Sequence, residues 1–141
     1  TAGPRESNTA LCERRKVAMM YLMIALGGAL GAVSRFAMGK WINSFWQAQY
    51  PMATMSINIL GSFLMGIAFV LISERLPSLE PLRPLIMVGF LGAFTTFSTF
   101  SLEIVSLINQ QAWLSALSYL SLSCLLGILA LAAGISLARV F

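Results

Sequence analysis

The segment GFLGAFTTFSTFSLE, residues 89–103, is the most informative part of this sequence about its fold. It lies within a long apolar segment, yet it contains several residues that are unfavourable in a smooth helix, namely Gly89, Gly92, Thr95, Thr96 and Thr99. Glycine lets the backbone leave helical angles, and threonine hydroxyls compete for the freed backbone groups. A broken helix at membrane depth exposes carbonyls, which protein, water or an ion must satisfy. The pattern therefore predicts a break, with a cation site of backbone oxygens near Gly92–Thr95.

The rest of the chain is organised as further apolar segments around this one. Four segments are each long enough to cross a hydrocarbon core of about 30 Å, approximately residues 17–41, 51–72, 84–108 and 113–140. The connections NSFWQAQYP, SERLPSLEPLRP and NQQAW are too short to hold a soluble domain. The sequence thus predicts an all-α integral membrane protein with four transmembrane helices in residues 19–141. Residues 1–16 are largely polar, and residues 1–18 are expected to form a flexible tail, of native or non-native origin.

Composition supports membrane lipid as the main solvent of this chain. Hydrophobic residues make up 58% of the sequence and charged residues 10%, whereas soluble domains carry about 25% charged residues. Histidine is absent, and the spacing of Cys12 and Cys124 matches no metal site. We therefore expect no enzymatic activity. The net charge of +4 arises partly in the tail and is otherwise scattered, which favours contact with lipid headgroups over nucleic acid.

The basic residues leave the orientation in the membrane open. An even number of spans puts Arg75, Arg83 and Arg139 on one side, and Arg35 and Lys40 on the other. This bias is too small to fix an orientation by the positive-inside rule, so the chain can insert both ways and form an antiparallel dimer. If the tail is native, its four further positive charges favour a cytoplasmic N-terminus and oppose this interpretation.

Small residues at helical spacing predict close contacts between helices. Gly27 and Gly31 form a GxxxG pair, and Ser62 and Gly66 form a second pair of the same spacing. Such pairs serve equally for packing within one subunit and for packing between subunits. Because a four-helix bundle fills its own centre with side chains, an aqueous path favours an oligomer.

Polar residues inside the spans are costly in lipid and are therefore functional candidates. The first segment contains Arg35, the second contains Thr54 and Asn58, and the fourth contains Tyr119 and Ser123. Residues four positions apart lie on one helix face, as Thr54 and Asn58 do. Taken singly, Arg35 is equally explained as a snorkelling arginine, and Ser123 as a hydroxyl bonded to its own helix backbone.

The third segment combines aromatic and hydroxyl side chains in a way that suits an anion. Phe97 and Phe100 lie three positions apart, with Ser98 and Thr99 between them and Glu103 one turn further on. Aromatic ring edges are positive, so they attract a small anion, and hydroxyl groups can replace part of its hydration. Core packing is the usual explanation of such a phenylalanine pair.

Considered as a whole, GFLGAFTTFSTFSLE resembles the signature of the Fluc (CrcB) family of fluoride channels. The resemblance covers residues 20–140 and includes GGALGAVSRF in the first segment, INILGSF in the second and the spacing of Tyr119, Ser123 and Gly127 in the fourth. It implies an antiparallel, dual-topology homodimer with two pores between the subunits. It also implies passive export of fluoride across the bacterial plasma (inner) membrane, without nucleotide or proton coupling.

The resemblance implies a role for each polar position. The implied fluoride pathway comprises the donor Asn58, the pore rings Phe97 and Phe100, the polar track Ser98, Thr99, Tyr119 and Ser123, and the mouth residues Glu103 and Thr54. Arg35 would have a vestibule or structural role. The backbone carbonyls of Gly92 and Thr95, from both subunits, would hold one structural sodium ion at the dimer centre.

Two departures from the family pattern, and two other classes of protein, limit this interpretation. Ala93 stands where the family often has glycine, and Gly127 stands where some members have serine, so polar lining beyond Ser123 is in doubt. A small multidrug-resistance transporter needs a glutamate in its first helix, whereas the carboxylate here, Glu103, lies in the third segment. A purely structural subunit would not require Asn58 or the polar string. The channel interpretation fits these residues better than either alternative.

Overall fold

The computed structural model describes the backbone of residues 4–141 and the side-chain surroundings from residue 9 onward. Within that part of the chain, four helical stretches are long and apolar enough to cross a membrane, Thr9–Phe45, Met52–Arg75, Pro84–Asn109 and Trp113–Val140. The number and the positions of the predicted spans are thus confirmed. The first helix extends four residues beyond its predicted end at Trp41 and stops at Phe45.

The α-helices of residues 4–141 are α1 (Pro4–Phe45), α2 (Met52–Phe69), α3 (Gly92–Phe94), α4 (Ser98–Asn109) and α5 (Trp113–Val140). Helix α2 continues as a π-helical segment, Val70–Arg75, and a second π-helical segment, Pro84–Leu91, leads into α3. Between them lies the 3₁₀-helical turn Pro77–Leu82. The middle connection is therefore largely helical, with prolines at the first position of each new segment, where their missing N–H is tolerated.

The N-terminal residues continue the first helix. Helix α1 begins at Pro4, and its side chains from Thr9 to Met20 are exposed. The flexibility expected of residues 1–18 stays a prediction, and residues 1–3 lie outside the described part of the chain.

The third span is interrupted between Phe94 and Ser98. Helix α3 ends at Phe94, Thr95 has the extended angles φ −80° and ψ 157°, and α4 begins at Ser98. The last helical hydrogen bond before the interruption joins the Thr95 N–H to the Leu91 carbonyl at 3.1 Å. Because the backbone is extended at Thr95, the groups that follow it need partners from other helices.

Helix α1 packs against the segment Pro84–Leu91 through its two paired glycines. A Cβ atom on Gly27 would overlap the Leu85 carbonyl oxygen, and one on Gly31 would overlap the Phe90 carbonyl oxygen. The GxxxG pair therefore makes a close contact within one subunit, which is one of the two alternatives that the sequence left open.

Helices α2 and α5 form the second close contact. A Cβ atom on Gly66 would overlap the Leu131 carbonyl oxygen, and one on Gly134 would overlap the Phe63 carbonyl oxygen. Glycines on facing helices thus let the two backbones approach each other closely. In lipid the hydrophobic effect does not drive helices together, so this close packing is an important source of their association.

Large apolar side chains cover the outside of the subunit. Leu30 is 62% exposed and Leu114 83% exposed, whereas Tyr119 and Val70 are fully buried. A surface of this kind would associate in water but is stable against hydrocarbon. Buried apolar side chains form a core cluster of Met55, Phe100, Leu107, Ala116 and Tyr119. Close backbone contacts and buried polar contacts add to this cluster in holding the helices together.

Polar contacts join helices at both ends of the bundle. At the end where α2 and α5 terminate, Arg139 donates to both oxygens of Glu74 at 2.6 and 3.0 Å, and Arg75 donates to the Arg139 carbonyl. At the opposite end, Gln49 donates to Gln110 and so connects the α1–α2 and α4–α5 turns. The interrupted backbone lies between these two ends.

Candidate ion pathway

Asn58 on α2 binds the backbone at the interruption of the third span. Its Oδ1 accepts a hydrogen bond from the Thr96 N–H at 2.8 Å, and its Nδ2 donates to the Thr96 carbonyl at 2.9 Å. One amide side chain therefore satisfies both polar groups of a residue that has left the helix. Because Nδ2 carries two protons, it retains one N–H for another acceptor.

Two further side chains stabilise the ends of the helices at this point. Arg35 on α1 donates from Nε to the Ala93 carbonyl at 3.0 Å. The Thr96 hydroxyl oxygen accepts from the Thr99 N–H at 3.3 Å, in the first turn of α4. These contacts satisfy a carbonyl at the end of α3 and an N–H at the start of α4, both of which a helix end leaves without an intrahelical partner.

The two carbonyls proposed from the sequence as cation ligands have lost their ordinary helical donors. In an uninterrupted helix, the carbonyls of Gly92 and Thr95 would accept from the N–H groups of Thr96 and Thr99. Here the Thr96 N–H donates to Asn58, and the Thr99 N–H donates to the Thr96 hydroxyl. Backbone oxygens released in this way are suitable ligands for a hard cation such as sodium.

Glu103 on α4 is connected to two other helices. One carboxylate oxygen accepts from the Thr54 hydroxyl at 2.7 Å, and the other accepts from the Tyr119 hydroxyl at 2.6 Å. Thr54 and Tyr119 are both buried. These short bonds are typical of a charge-assisted pair with a carboxylate, and they hold α2, α4 and α5 together around a polar centre.

The two phenylalanines of the third span lie together but in different environments. Their ring centroids are 5.9 Å apart with an angle of 49° between the planes. Phe100 is 5% exposed and its centroid lies 5.1 Å from that of Tyr119, whereas Phe97 is 78% exposed. Phe100 therefore packs against Tyr119, whose hydroxyl binds Glu103. Phe97 lies on the outside of this subunit.

A polar cavity of about 390 Å³ opens near the α1–α2 turn. Its polar side chains come from the first three spans and the turn, and include Arg35, Lys40, Asn43, Tyr50, Thr54, Thr96, Thr99 and Glu103. Arg35, Thr54, Thr99 and Glu103, which the sequence proposed as site residues, thus share one space.

A second cavity, of about 230 Å³, borders Asn58 and is called the aromatic cavity below. It is lined by Asn58, Ser62, Phe97, Phe100, Ser123, Cys124, Gly127 and Ile128. Ser123 is 8% exposed, and within the described residues its hydroxyl has no hydrogen-bond partner. The alternative that this hydroxyl bonds to its own helix backbone is therefore wrong. A buried donor without an acceptor is costly, so this cavity suits a ligand that accepts hydrogen bonds.

The remaining predicted residues fall outside the two cavities. Tyr119 contacts Glu103, which lines the polar cavity, and Phe100, which lines the aromatic cavity. Ser98 is exposed at the start of α4, with its hydroxyl 3.4 Å from that of Thr96. Gly92 is exposed and Thr95 is half-buried.

Among the residues that the structure brings to the site, Thr96, Tyr50 and Lys40 were not identified as site residues from the sequence. Thr96 supplies the backbone that Asn58 binds, and its place in the polar string was the available signal. Tyr50 packs edge-on against Tyr119, with ring centroids 5.7 Å apart, although its position in a turn gave no such indication. Lys40 lines the polar cavity, and its spacing of five residues from Arg35 on the same helix was a weak signal.

The chain matches a family model over most of its length. Residues 22–135 match the family described as CrcB-like protein, Camphor Resistance (CrcB). The matched range includes all four apolar helical spans of the described chain in whole or in large part, together with every residue of the two cavities named above.

Curated relatives of this chain carry a common name, fluoride-specific ion channel FluC. The protein from Hahella chejuensis is 51% identical over 116 residues, which are 82% of this chain and 91% of the relative. The protein from Magnetococcus marinus is 44% identical over 121 residues, 86% of this chain and 98% of the relative. The protein from Saccharophagus degradans is 44% identical over 120 residues, 84% of this chain and 89% of the relative.

Proposed function

Because this chain belongs to the CrcB family, whose relatives are named fluoride-specific ion channels, we propose that it is a channel through which fluoride leaves the bacterial cytoplasm passively. The chain is a multi-pass membrane protein, and we place it in the bacterial plasma (inner) membrane. The named relatives are ion channels rather than enzymes. Family membership supports fluoride as the transported ion, and the polar groups of the two cavities support an anion path.

The observation that carries the proposal within the site is that the buried Ser123 hydroxyl, beside Asn58, has no hydrogen-bond partner among the described residues. Both line the aromatic cavity, and Asn58 keeps one N–H that is not bonded to Thr96. These two donors at membrane depth favour a small anion, which accepts hydrogen bonds and regains part of its lost hydration. The positive edges of Phe97 and Phe100 add a further attraction.

The two cavities suggest an order along the path. Fluoride would enter the polar cavity, pass the hydroxyl groups of Thr99 and Thr54 beside Glu103, and reach Asn58 and the two phenylalanines. Tyr119 and Ser123 on α5 would supply further donors. Selectivity over chloride would come from close donors in a path that is narrow for a larger ion. Passive movement requires no binding site for nucleotide and no proton-coupling carboxylate in the first span.

We propose that two chains form an antiparallel, dual-topology homodimer with a pore on each side of the interface. Phe97 is 78% exposed beside the aromatic cavity, so this subunit alone encloses the path on one side only. A second copy would supply the missing wall. The paired glycines Gly27 and Gly31 are occupied within the subunit, so a dimer would use other surfaces.

We expect purified protein in liposomes to release fluoride rapidly and chloride slowly. The vesicles would contain potassium fluoride or potassium chloride, and ion-selective electrodes would record efflux after addition of valinomycin. Because a channel moves charge, fluoride release should depend on the potassium current that valinomycin provides. Folded protein that releases no fluoride contradicts the proposed function. Release that follows a proton gradient and ignores valinomycin contradicts passive conduction and indicates a coupled transporter.

We also propose that the carbonyls of Gly92 and Thr95, from two subunits, hold one structural sodium ion. Both carbonyls lack their ordinary helical donors, and a hard cation would supply the missing electrostatic partner. The side chains of Asn58 and Arg35 keep the neighbouring backbone groups occupied, so that these two carbonyls remain available. The ion would connect the subunits at the dimer centre.

We expect replacement of sodium by N-methylglucamine to weaken the dimer and to lower fluoride flux. A ligand at about 100 times its dissociation constant stabilises the bound form by about 2.7 kcal/mol, and this stabilisation would be lost. Size-exclusion chromatography in detergent would measure the dimer fraction, at equal ionic strength in both buffers. Restoring sodium should restore the dimer. Equal dimer stability in both cations would count against the sodium site.

A further inference from the structure

Lys40 is a charged residue of the polar cavity whose ammonium group has no ion-pair partner in the part of the chain that the structure describes. It lies on α1 and lines the cavity together with Asn43 and Glu103. Its Nζ lies 5.9 Å from the centroid of the Phe36 ring, a distance at which a cation is weakly attracted to the ring face. Among the described residues, no carboxylate lies within ion-pair distance of Lys40.

The other charged groups of the polar cavity are engaged in the fold. Arg35 donates to the Ala93 carbonyl at the end of α3. Both oxygens of Glu103 accept hydrogen bonds, from Thr54 and Tyr119. Within the described residues, the cavity is lined by the cations Arg35 and Lys40 and the anion Glu103, and Lys40 is the one of these three whose polar atoms make no hydrogen bond or ion pair there.

We propose that Lys40 attracts anions to the polar cavity and so raises the rate at which fluoride enters the path. The inference rests on the proposed function, since it concerns supply to the same pathway. A positive charge in a cleft raises the local concentration of anions and their rate of arrival. For a charge about 10 Å from the path in water, the local anion concentration changes about twofold.

The dependence on salt distinguishes this role from a structural one. The Debye length is about 30 Å at 0.01 M ionic strength and about 3 Å at 1 M. The effect of Lys40 on fluoride flux should therefore be present in dilute salt and absent in concentrated salt. Loss of a structural contact would lower fluoride flux in both conditions.

The test is a charge series at position 40, with fluoride efflux measured in neutral liposomes at both ionic strengths. Potassium gluconate, as an impermeant salt, would set the ionic strength inside and outside. At low ionic strength we expect Lys40→Arg to match the wild type, Lys40→Gln to be about twofold slower and Lys40→Glu about fourfold slower. At 1 M all four proteins should conduct equally. The unaltered protein serves as the reference for conduction in both salts.

Lys16→Gln is the matched control, because Lys16 lies on the same helix about 36 Å away and its Nζ is 3.5 Å from Glu13. It should not alter flux at either ionic strength. Equal flux of Lys40→Glu and wild type in dilute salt overturns the inference alone. A deficit of Lys40→Gln that persists at 1 M also overturns it, since it indicates a structural role. Absence of fluoride flux in the wild type overturns both this inference and the proposed function.

Discussion

Asn58→Leu is expected to abolish fluoride flux and also to lower the thermal stability of the purified protein. Leucine is similar in size, but it cannot bond to the N–H and carbonyl of Thr96, which Asn58 holds at 2.8 and 2.9 Å. Each buried backbone group left without a partner costs about 1–3 kcal/mol. The extended backbone at Thr95 would then lose its main support from α2, and the neighbouring carbonyls would lose their present arrangement.

Two measurements separate the roles of this side chain. Fluoride efflux from liposomes measures conduction through the ion path. The temperature at which the protein ceases to be monodisperse in detergent measures the thermal stability of the fold. Asn109→Leu, at an exposed asparagine near the end of α4, is the control and should alter neither. If Asn58→Leu loses flux at unchanged stability, Asn58 acts on the ion and its contact with Thr96 contributes little. If both properties are unchanged, the place given to Asn58 in the pathway is wrong.

Gly27→Ala is expected to prevent accumulation of folded protein or to reduce its stability strongly, whereas Gly28→Ala should be harmless. A Cβ atom on Gly27 would overlap the Leu85 carbonyl oxygen and would lie 2.9 Å from the Phe90 backbone nitrogen. Backbone cannot yield as a flexible side chain can, so α1 and the segment Pro84–Leu91 would have to separate. Overpacking of this kind typically costs about 1–3 kcal/mol, and the loss would include the contacts that follow along both helices.

Gly28, which is adjacent to Gly27 on the same helix, is a matched control for Gly27→Ala. A Cβ atom on Gly28 has no atom within 4 Å outside its own helix turn, and alanine is more favourable than glycine in a helix by up to about 1 kcal/mol. Gly28→Ala should therefore raise the unfolding temperature slightly, and Gly27→Ala should lower it. Both would be measured on purified protein in the same detergent. Equal unfolding temperatures for the two variants would show that the close approach at Gly27 is not required.

Hydropathy was sufficient to predict the spans because a transmembrane helix requires only one continuous segment that is long and apolar enough. A segment of about 20 apolar residues can satisfy its backbone in lipid only as a helix, whatever its neighbours are. The boundaries near residues 51 and 113 were therefore close to those of the structure, at Met52 and Trp113. The composition of GFLGAFTTFSTFSLE likewise indicated a poor helix where α3 ends and α4 begins.

The partners of the polar residues could not be predicted in the same way. Asn58 was proposed as a donor to fluoride, and that role stays a prediction, but its two bonds to Thr96 depend on how α2 lies beside the third span. Glu103 was placed near a pore mouth, yet its bonds to Thr54 and Tyr119 join residues that are 49 and 16 positions away. Periodicity predicts which face a residue occupies, but not which helix lies opposite that face.

The paired glycines illustrate the division between sequence and tertiary structure. The spacing of one helical turn already places Gly27 and Gly31 on one helix face, where they permit a close approach. Composition and motifs likewise established the membrane environment and the family. The partner of this glycine face, the segment Pro84–Leu91 of the same chain, became known only from the packing of the helices. Because lipid and protein interior are equally apolar, helix partners are selected by shape and by hydrogen bonding between surfaces distant in sequence.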